Sequence, residues 1–91
     1  MRTKKVKYNS NSINTLPNDK PVLYKIKTDG GKHNYVGTAK KGRVTKRIIE
    51  HIGKIPGASV QIEQFHSIQE AQKKESKVIP KLQPKYNKRG K

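Results

Sequence analysis

The sequence predicts an α+β domain: a small three-stranded antiparallel sheet flanked by helices, in the order β-β-α-β-α. Two short segments rich in β-forming residues flank the turn sequence Asp29-Gly30-Gly31. A third segment of alternating polarity lies between two stretches whose apolar residues recur with helical spacing. With 91 residues, the chain has room for one domain.

Charge and composition restrict the classes of function. The chain has 22 Lys and Arg against six Asp and Glu, a net charge of +16, and only 30% of its residues are hydrophobic. The absence of cysteine excludes disulfides, cysteine-bound zinc and thiol catalysis. No apolar run is long enough for a membrane span or a secretory signal. We therefore expect a cytoplasmic protein that binds a polyanion, and nucleic acid is the first candidate.

The chain divides into a folded domain with basic ends. Residues 1–20 are basic and then rich in Asn and Ser, without a sustained period, which predicts a mobile N-terminal arm. Residues 21–87 carry the periodic segments and form the predicted domain, and residues 88–91 form a basic tail.

The first two strands are predicted as a hairpin that carries two tyrosines. If its loop is Asp29-Gly30, Tyr24 lies opposite Tyr35; if the loop is Gly30-Gly31, Tyr24 lies opposite Gly37. In either register both phenol rings project from the same face of the sheet, because side chains alternate along a strand. A tyrosine pair in a half-buried sheet explains this pattern as well as a functional pair does.

The first helix is predicted over Gly42–Ile52, with Gly53 as the stop signal. Its apolar residues recur at every fourth position; they are Val44, Ile48 and Ile52. At 100° per residue, Arg47 and His51 are neighbours at the rim of this stripe and face the sheet. An arginine that extends to solvent and a hydrogen-bonded histidine would occupy the same positions in a purely structural helix.

A third strand is predicted from Val60 to about Phe65, and a second helix follows it. Ser67 and Glu70 have the spacing of a capping box. The helix should run to about Ile79, where Pro80 bends or ends it.

Glu75 is the one carboxylate in the chain without an evident structural role. Its helical angle puts it within the apolar stripe of the second helix, where an ionised carboxylate is costly unless it is paired or binds a metal. The other five fall in the arm, the turn, a solvated helix face, a helix cap and the polar face of a strand. A buried ion pair with Arg47 or a lysine is the alternative to metal binding.

These residues, in this order, resemble the GIY-YIG nuclease domain. Val22-Leu23-Tyr24 stands where the family has GIY, and Tyr35-Val36-Gly37 where it has YIG. Arg47 and His51 match the R-x-x-x-H helix of the family. Glu75 together with Pro84-Lys85-Tyr86-Asn87 resembles its glutamate helix and terminal P-x-Y-N. The resemblance covers residues 21–87; Val22 departs from it by replacing the first glycine.

The resemblance implies a metal-dependent endonuclease that hydrolyses phosphodiester bonds of DNA with one divalent ion, Mg²⁺ or Mn²⁺. Glu75 would hold the ion, which suits a cation that keeps most of its waters. Tyr24, with His51, would take the proton from the attacking water, and Tyr35 would position water or phosphate. Arg47 would stabilise the developing negative charge. Asn87 would hold the glutamate helix or the tyrosine in place.

The partner expected from this reading is duplex DNA, with either a homodimer or a separate partner providing specificity. The candidate DNA-binding residues are Lys32, Lys40, Lys41, Arg43, Lys85, Lys88 and Arg89. Two other readings fit the composition equally well. One is a non-catalytic basic nucleic-acid-binding protein, either a degenerate nuclease domain or an RNA binder. The other is the catalytic module of a larger assembly.

Overall fold

A computed structural model describes residues 3–82, which form four strands and three helices. The strands are β1 (Thr3–Lys7), β2 (Val22–Lys27), β3 (His33–Ala39) and β4 (Ser59–Gln64). The helices are α1 (Ser10–Ile13), α2 (Val44–Ile49) and α3 (Ile68–Leu82). The predicted α+β class, with helices flanking an antiparallel sheet, is confirmed. The predicted basic tail and four candidate residues, Lys85, Asn87, Lys88 and Arg89, lie outside the described residues.

The sheet has four strands rather than the predicted three. Its order is β1-β4-β2-β3, and every neighbouring pair is antiparallel. The additional strand, β1, comes from the segment that the sequence analysis assigned to a mobile arm, and it pairs with β4 over its whole length. The arm prediction is therefore wrong for the described part of residues 1–20.

The rest of this N-terminal segment is also part of the fold. Ile13 of α1 and Leu16 are buried in the main core cluster. The Tyr8 hydroxyl donates to the carbonyl oxygen of Ile55 at 2.8 Å. Because β1 is an exposed edge strand and α1 is only one turn long, neither element produces the repeated apolar spacing from which structure is predicted.

The helices cover the two faces of the sheet. On one face, α1 and α2 enclose the larger cluster, with Val22, Tyr24 and Ile26 from β2 at its centre. On the other face, α3 packs on β2 and β3 over a smaller cluster. The buried members of the smaller cluster are Leu23, Val36, Phe65 and Ala71. Strand β3 is an edge of the sheet, so the two helical layers approach each other along its free side.

The hairpin has the second of the two predicted registers. Tyr24 pairs with Gly37, and Ile26 pairs with Tyr35, with a bulge between Ile26 and Lys27. The bulge lies on the turn side of Tyr35, so the prediction that both tyrosines share a face is confirmed.

Helix α2 is shorter than predicted, and its start is held by another segment. It begins at Val44 and ends at Ile49, and the predicted core residue Ile52 is 37% exposed, while Ile55 is buried. The Val44 amide donates to Oδ1 of Asn18 at 2.7 Å, which caps the helix from the N-terminal segment. The chain leaves the helix after Ile49, so His51 lies in the following turn.

Helix α3 continues through Pro80 instead of ending before it. Proline has a helix-compatible φ, so the helix can pass through it, although position 80 lacks the N–H that would donate to the carbonyl oxygen of residue 76. At the start, the Glu70 amide donates to Oγ of Ser67 at 3.3 Å, as a capping box requires. The Glu70 carboxylate accepts from the amide of His66, one residue before the expected partner.

Candidate active site

Tyr24 passes over the backbone of β3 because its cross-strand partner is a glycine. A Cβ atom at Gly37 would lie 2.7 Å from the Tyr24 hydroxyl oxygen and 2.9 Å from a ring carbon of Tyr35. Such separations are closer than van der Waals contact, so only glycine leaves room for both rings. Gly37 therefore allows the Tyr24 hydroxyl, which starts from an interior strand, to lie over the edge strand β3.

His51 completes a cluster of three rings. Its Nε2 atom lies 2.8 Å from the Tyr24 hydroxyl oxygen. The ring centroids of Tyr35 and His51 are 4.5 Å apart, and those of Tyr24 and Tyr35 are 6.0 Å apart. Tyr24 is completely buried, whereas Tyr35 and His51 are half-buried and present the cluster to solvent.

Burial and charge keep both members of the hydrogen-bonded pair neutral. Burial, followed by the nearby Arg47 charge, lowers the pKa of His51 below its ordinary value. Burial is also the main reason that the pKa of Tyr24 is raised well above that of a free phenol. A neutral imidazole can accept at Nε2, so at neutral pH the Tyr24 hydroxyl can donate to His51.

Arg47 and Glu75 bring opposite charges to the Tyr24 hydroxyl. The Arg47 guanidinium lowers the pKa of Tyr24, and the Glu75 carboxylate raises it, so both lie within electrostatic range. Arg47 is exposed on α2, and Glu75 is half-buried on α3. Five predicted catalytic residues lie within the described chain. They come together from four segments: β2, β3, α2 with the turn after it, and α3.

A small cleft of about 260 Å³ adjoins Arg47 between the end of β3, α2 and α3. Its polar lining residues are Thr38, Lys40, Arg43, Arg47 and Gln72. Two predicted DNA-binding residues, Lys40 and Arg43, therefore lie beside the candidate site, and Lys41 is exposed in the adjoining turn. Lys32 precedes β3 and Lys40 follows it, so the length of a seven-residue strand separates them. The structure does not bring Lys32 to the cleft.

Glu75 is the predicted metal ligand, and its charge acts on the Tyr24 hydroxyl in the structure. Residues 3–82 contain no group of three or more acidic or histidine side chains able to enclose an ion. Glu63 is bound by the Lys74 ammonium at 2.8 Å, Glu70 caps α3, and Asp19 accepts from Gln64. A single carboxylate suits Mg²⁺, because this ion keeps most of its water ligands and also binds phosphate oxygens of a substrate. It does not suit an ion that takes all of its ligands from the protein.

A larger cavity of about 790 Å³ lies along a different side of α3. It is lined by Lys20, Phe65, four lysines of α3 and neighbouring residues. None of the five clustered residues lines it, so cavity size does not identify the chemical centre of this protein.

Sequence reasoning missed the residues that support the site. Asn18, which caps α2, lies in the segment predicted to be mobile. Gln72 and Thr38 line the cleft but carry no recognisable motif. Gly37 was recognised as part of a motif, and the alternative hairpin register already put it opposite Tyr24; the space that it leaves for the rings is visible only in three dimensions.

Comparisons with known proteins agree with this fold. The structure is similar to the GIY-YIG N-terminal endonuclease domain of UvrC from Thermotoga maritima, which was solved with magnesium as its catalytic divalent cation. The TM-score is 0.64 at 26% identity, over 79% of this chain and 88% of that one. An asparagine-to-alanine mutant of the same domain gives a TM-score of 0.64 at 22% identity, over 78% and 86% of the two chains. The sequence itself matches no protein-family model and no curated protein.

The resemblance to GIY-YIG nucleases is therefore confirmed, and the protein has the fold of that class. Among solved structures, one that it resembles is the N-terminal endonuclease domain of UvrC, of which it covers most of the length. No helix of residues 3–82 is long and apolar enough to cross a membrane.

Proposed function

We propose that this protein is an endonuclease that hydrolyses phosphodiester bonds of DNA with one divalent metal ion. The observation that carries the proposal is the convergence of two tyrosines, a histidine, an arginine and a glutamate at the edge strand β3. The structural similarity to a magnesium-bound endonuclease domain supports the same reaction class. A domain that only binds nucleic acid has no need for this ring cluster or for a carboxylate beside it.

Tyr24 and His51 would remove the proton of the attacking water. The 2.8 Å contact between the hydroxyl oxygen and Nε2 allows Tyr24 to pass its own proton to the neutral imidazole while its oxygen accepts one from water. This transfer avoids a free phenolate, which burial disfavours. Tyr35, half-buried beside both groups, would hydrogen-bond the water or the phosphate.

Arg47 and Glu75 would act on the phosphate. The exposed guanidinium of Arg47, beside the basic cleft, can bind a phosphate oxygen and stabilise the negative charge that develops in the transition state. Glu75 would hold the divalent ion. When bound, the ion supplies positive charge at the scissile phosphate and the leaving oxygen, and offsets the carboxylate charge beside Tyr24.

The test is Glu75→Gln, which preserves size and removes the charge that would hold a metal. Cleavage of supercoiled plasmid in Mg²⁺ should fall to background, while DNA affinity holds or rises slightly because a negative group near phosphate is gone. The melting temperature should hold or increase, since a desolvated charge is removed. The matched control is Glu63→Gln, a second half-buried carboxylate, whose role is the ion pair with Lys74; this variant should still cut.

Two outcomes would contradict the proposal. If Glu75→Gln cuts as well as the wild type, Glu75 is not the metal ligand. If it loses about 3–5 kcal/mol of unfolding free energy, Glu75 is one half of a buried ion pair. A wild-type protein that binds DNA but never cuts it in Mg²⁺ or Mn²⁺ would favour the non-catalytic binding function.

A further inference from the structure

Four lysines form a positively charged array on the sheet face opposite Tyr24. They are Lys5 and Lys7 of β1 and Lys25 and Lys27 of β2, and we call them the lysine face. Directly paired residues of antiparallel strands project from the same side of the sheet. Lys5 and Lys25 both pair with Gln61, and Lys7 and Lys27 both pair with Ser59, so all four project together.

Helix α3 leaves this face open. It covers β2 and β3, where Leu23 and Val36 are buried under it, whereas β1 and β4 lie beside it. Lys5 and Lys7 are exposed, and Lys25 and Lys27 are half-buried. With strands ~4.8 Å apart and ~3.4 Å of rise per residue, the four Cα atoms span roughly 10 by 7 Å. The ammonium groups therefore extend from one region of the sheet.

The positive charge of this face is offset only in part within the described chain, where the Glu63 carboxylate raises the pKa of Lys25. The acidic neighbour is Glu63, and its carboxylate is bound by Lys74 at 2.8 and 3.1 Å. Lys27 donates to the neutral amide oxygen of Gln61 at 3.0 Å. Burial and then the charges of Lys74 and Lys27 lower the pKa of Lys25, and burial followed by Lys27 and Lys25 lowers that of His33. Such mutual repulsion is relieved when an external anion binds.

The array continues along β4 into the larger cavity. Gln61 and Glu63 lie on this same side of β4, and Phe65, which follows the strand, is buried in one cluster with Leu23. Lys74 contacts Glu63 and also lines the cavity, together with the neighbouring lysines of α3. Residues 83–91 add four positive charges and no acidic residue, so charge does not favour that segment as the occupant of this surface.

We propose that the lysine face is a second DNA-binding surface, which holds the phosphate backbone of duplex DNA on the side of the sheet away from Tyr24. Flexible point charges without a planar, directional donor suit sequence-independent contact with phosphates. A peptide or membrane partner would need an apolar anchor. The one exposed large hydrophobic residue of the described chain is Ile52, which is not part of this face. This inference rests on the part of the proposed function that makes DNA the substrate, and it does not require that the protein cleaves DNA.

The test compares two double variants that lower the net charge equally. K5Q/K25Q removes half of the lysine face. K4Q/K46Q is the matched control, because Lys4 is the neighbour of Lys5 on the same strand but projects from the opposite side, and Lys46 is an exposed lysine of α2. Binding of a fluorescently labelled duplex oligonucleotide is measured by anisotropy across a salt series.

If both lysines contact phosphates, K5Q/K25Q reduces the log–log salt slope by about 1.8 and weakens binding about 10- to 30-fold at 0.15 M salt. K4Q/K46Q should change both values far less, and it should cut plasmid at the wild-type rate. Equal, small effects of the two variants on the slope would overturn the inference. If the melting temperature of K5Q/K25Q is far below that of the wild type, the same salt series is measured with K5Q/K7Q. This variant changes only exposed residues of β1.

The two proposals fail in different ways. Loss of binding in K5Q/K25Q without any metal-dependent cleavage by the wild type would support the second surface and reject the nuclease. Cleavage that depends on Glu75, with a salt slope unaffected by Lys5 and Lys25, would support the nuclease and reject the second surface.

Discussion

The hydroxyl oxygen of Tyr24 lies 2.8 Å from Nε2 of His51, and this contact joins the central strand pair to the turn after α2. Tyr24 is inaccessible to solvent and His51 is half-buried, so the pair connects the core of the protein with its surface. Burial shifts their pKa values in opposite directions: it raises that of Tyr24 and lowers that of His51. A phenol that stays protonated beside an imidazole that stays neutral is a proton donor and acceptor matched at neutral pH.

Tyr24→Phe should separate the chemical role of this hydroxyl from its structural role. We expect cleavage to fall by about 10²–10⁴, because a group that moves a proton in the transition state is lost. The free energy of unfolding should fall by only about 1 kcal/mol for the lost hydrogen bond. Plasmid cleavage and urea denaturation measure the two effects.

The matched control is Tyr8→Phe. Its hydroxyl also makes one hydrogen bond, to the carbonyl oxygen of Ile55, but lies outside the ring cluster. This variant should lose comparable stability and retain cleavage. If both variants lose cleavage in proportion to stability, the Tyr24 hydroxyl has no chemical role.

Gly37→Ala should damage the site although glycine has no functional group. The new methyl group would meet the Tyr24 hydroxyl at 2.7 Å, so the ring must move away from His51. We expect a loss of about 1–3 kcal/mol in unfolding free energy, as for other overpacked cores, and a large loss of cleavage.

Gly30→Ala is the control for this substitution. At Gly30 the nearest atom to an added methyl group is 3.9 Å away, which is ordinary contact, so stability and cleavage should be unchanged. Wild-type cleavage by Gly37→Ala would show that the position of Tyr24 over β3 does not matter.

Asn18→Ala should weaken α2 from a distance in sequence. Its side chain accepts from the Val44 amide, and loss of such a cap costs typically about 1 kcal/mol. Because α2 carries Arg47, cleavage should fall as well, and amide exchange at the start of α2 should accelerate. Asn11→Ala, at an exposed position of α1, is the control. Equal exchange rates in the two variants would rule out a capping role for Asn18.

Acidification should destabilise the protein through His33 and His51. Burial and neighbouring positive charges lower the pKa of His51 and of His33 in the folded state. As the pH falls through about 6.5, these histidines bind protons in the unfolded chain while they are still neutral in the folded chain. The free energy of unfolding that is present above this pH is therefore progressively lost. Urea denaturation of the wild type and of His51→Gln from pH 7.5 to 5 tests this: the variant should show the shallower decline. Identical declines would contradict it.

The strongly periodic parts of the fold could be predicted from the sequence, and the aperiodic parts could not. Strands β2, β3 and β4 and helix α3 follow from alternation, turn residues and helical spacing. Strand β1 could not be predicted, because a lysine-rich edge strand with the half-buried Val6 has no alternation to detect. The early end of α2 was missed for a related reason: Ile52 continues the helical spacing, but Ile55, after a turn, enters the core in its place.

The candidate site was predicted by residue type more successfully than by geometry. Side-chain alternation put Tyr24 and Tyr35 on one face, and the structure brings Arg47, His51 and Glu75 to them. The contact of His51 with Tyr24 could not be predicted, since it depends on the turn that follows α2. Lys32 was predicted as a DNA-binding residue together with Lys40, although β3 separates them.

The order of the strands has a consequence for how the protein folds. The β2–β3 hairpin joins neighbouring segments and can form early, because little chain entropy is lost in closing a short loop. Strand β1 instead pairs with β4, the last strand of the sheet, so the N-terminal segment can dock only after β4 is in place. Asn18 lies at the end of that segment. We therefore expect the two tyrosines to meet on the hairpin before Asn18 caps α2, so that the candidate site is completed late in folding.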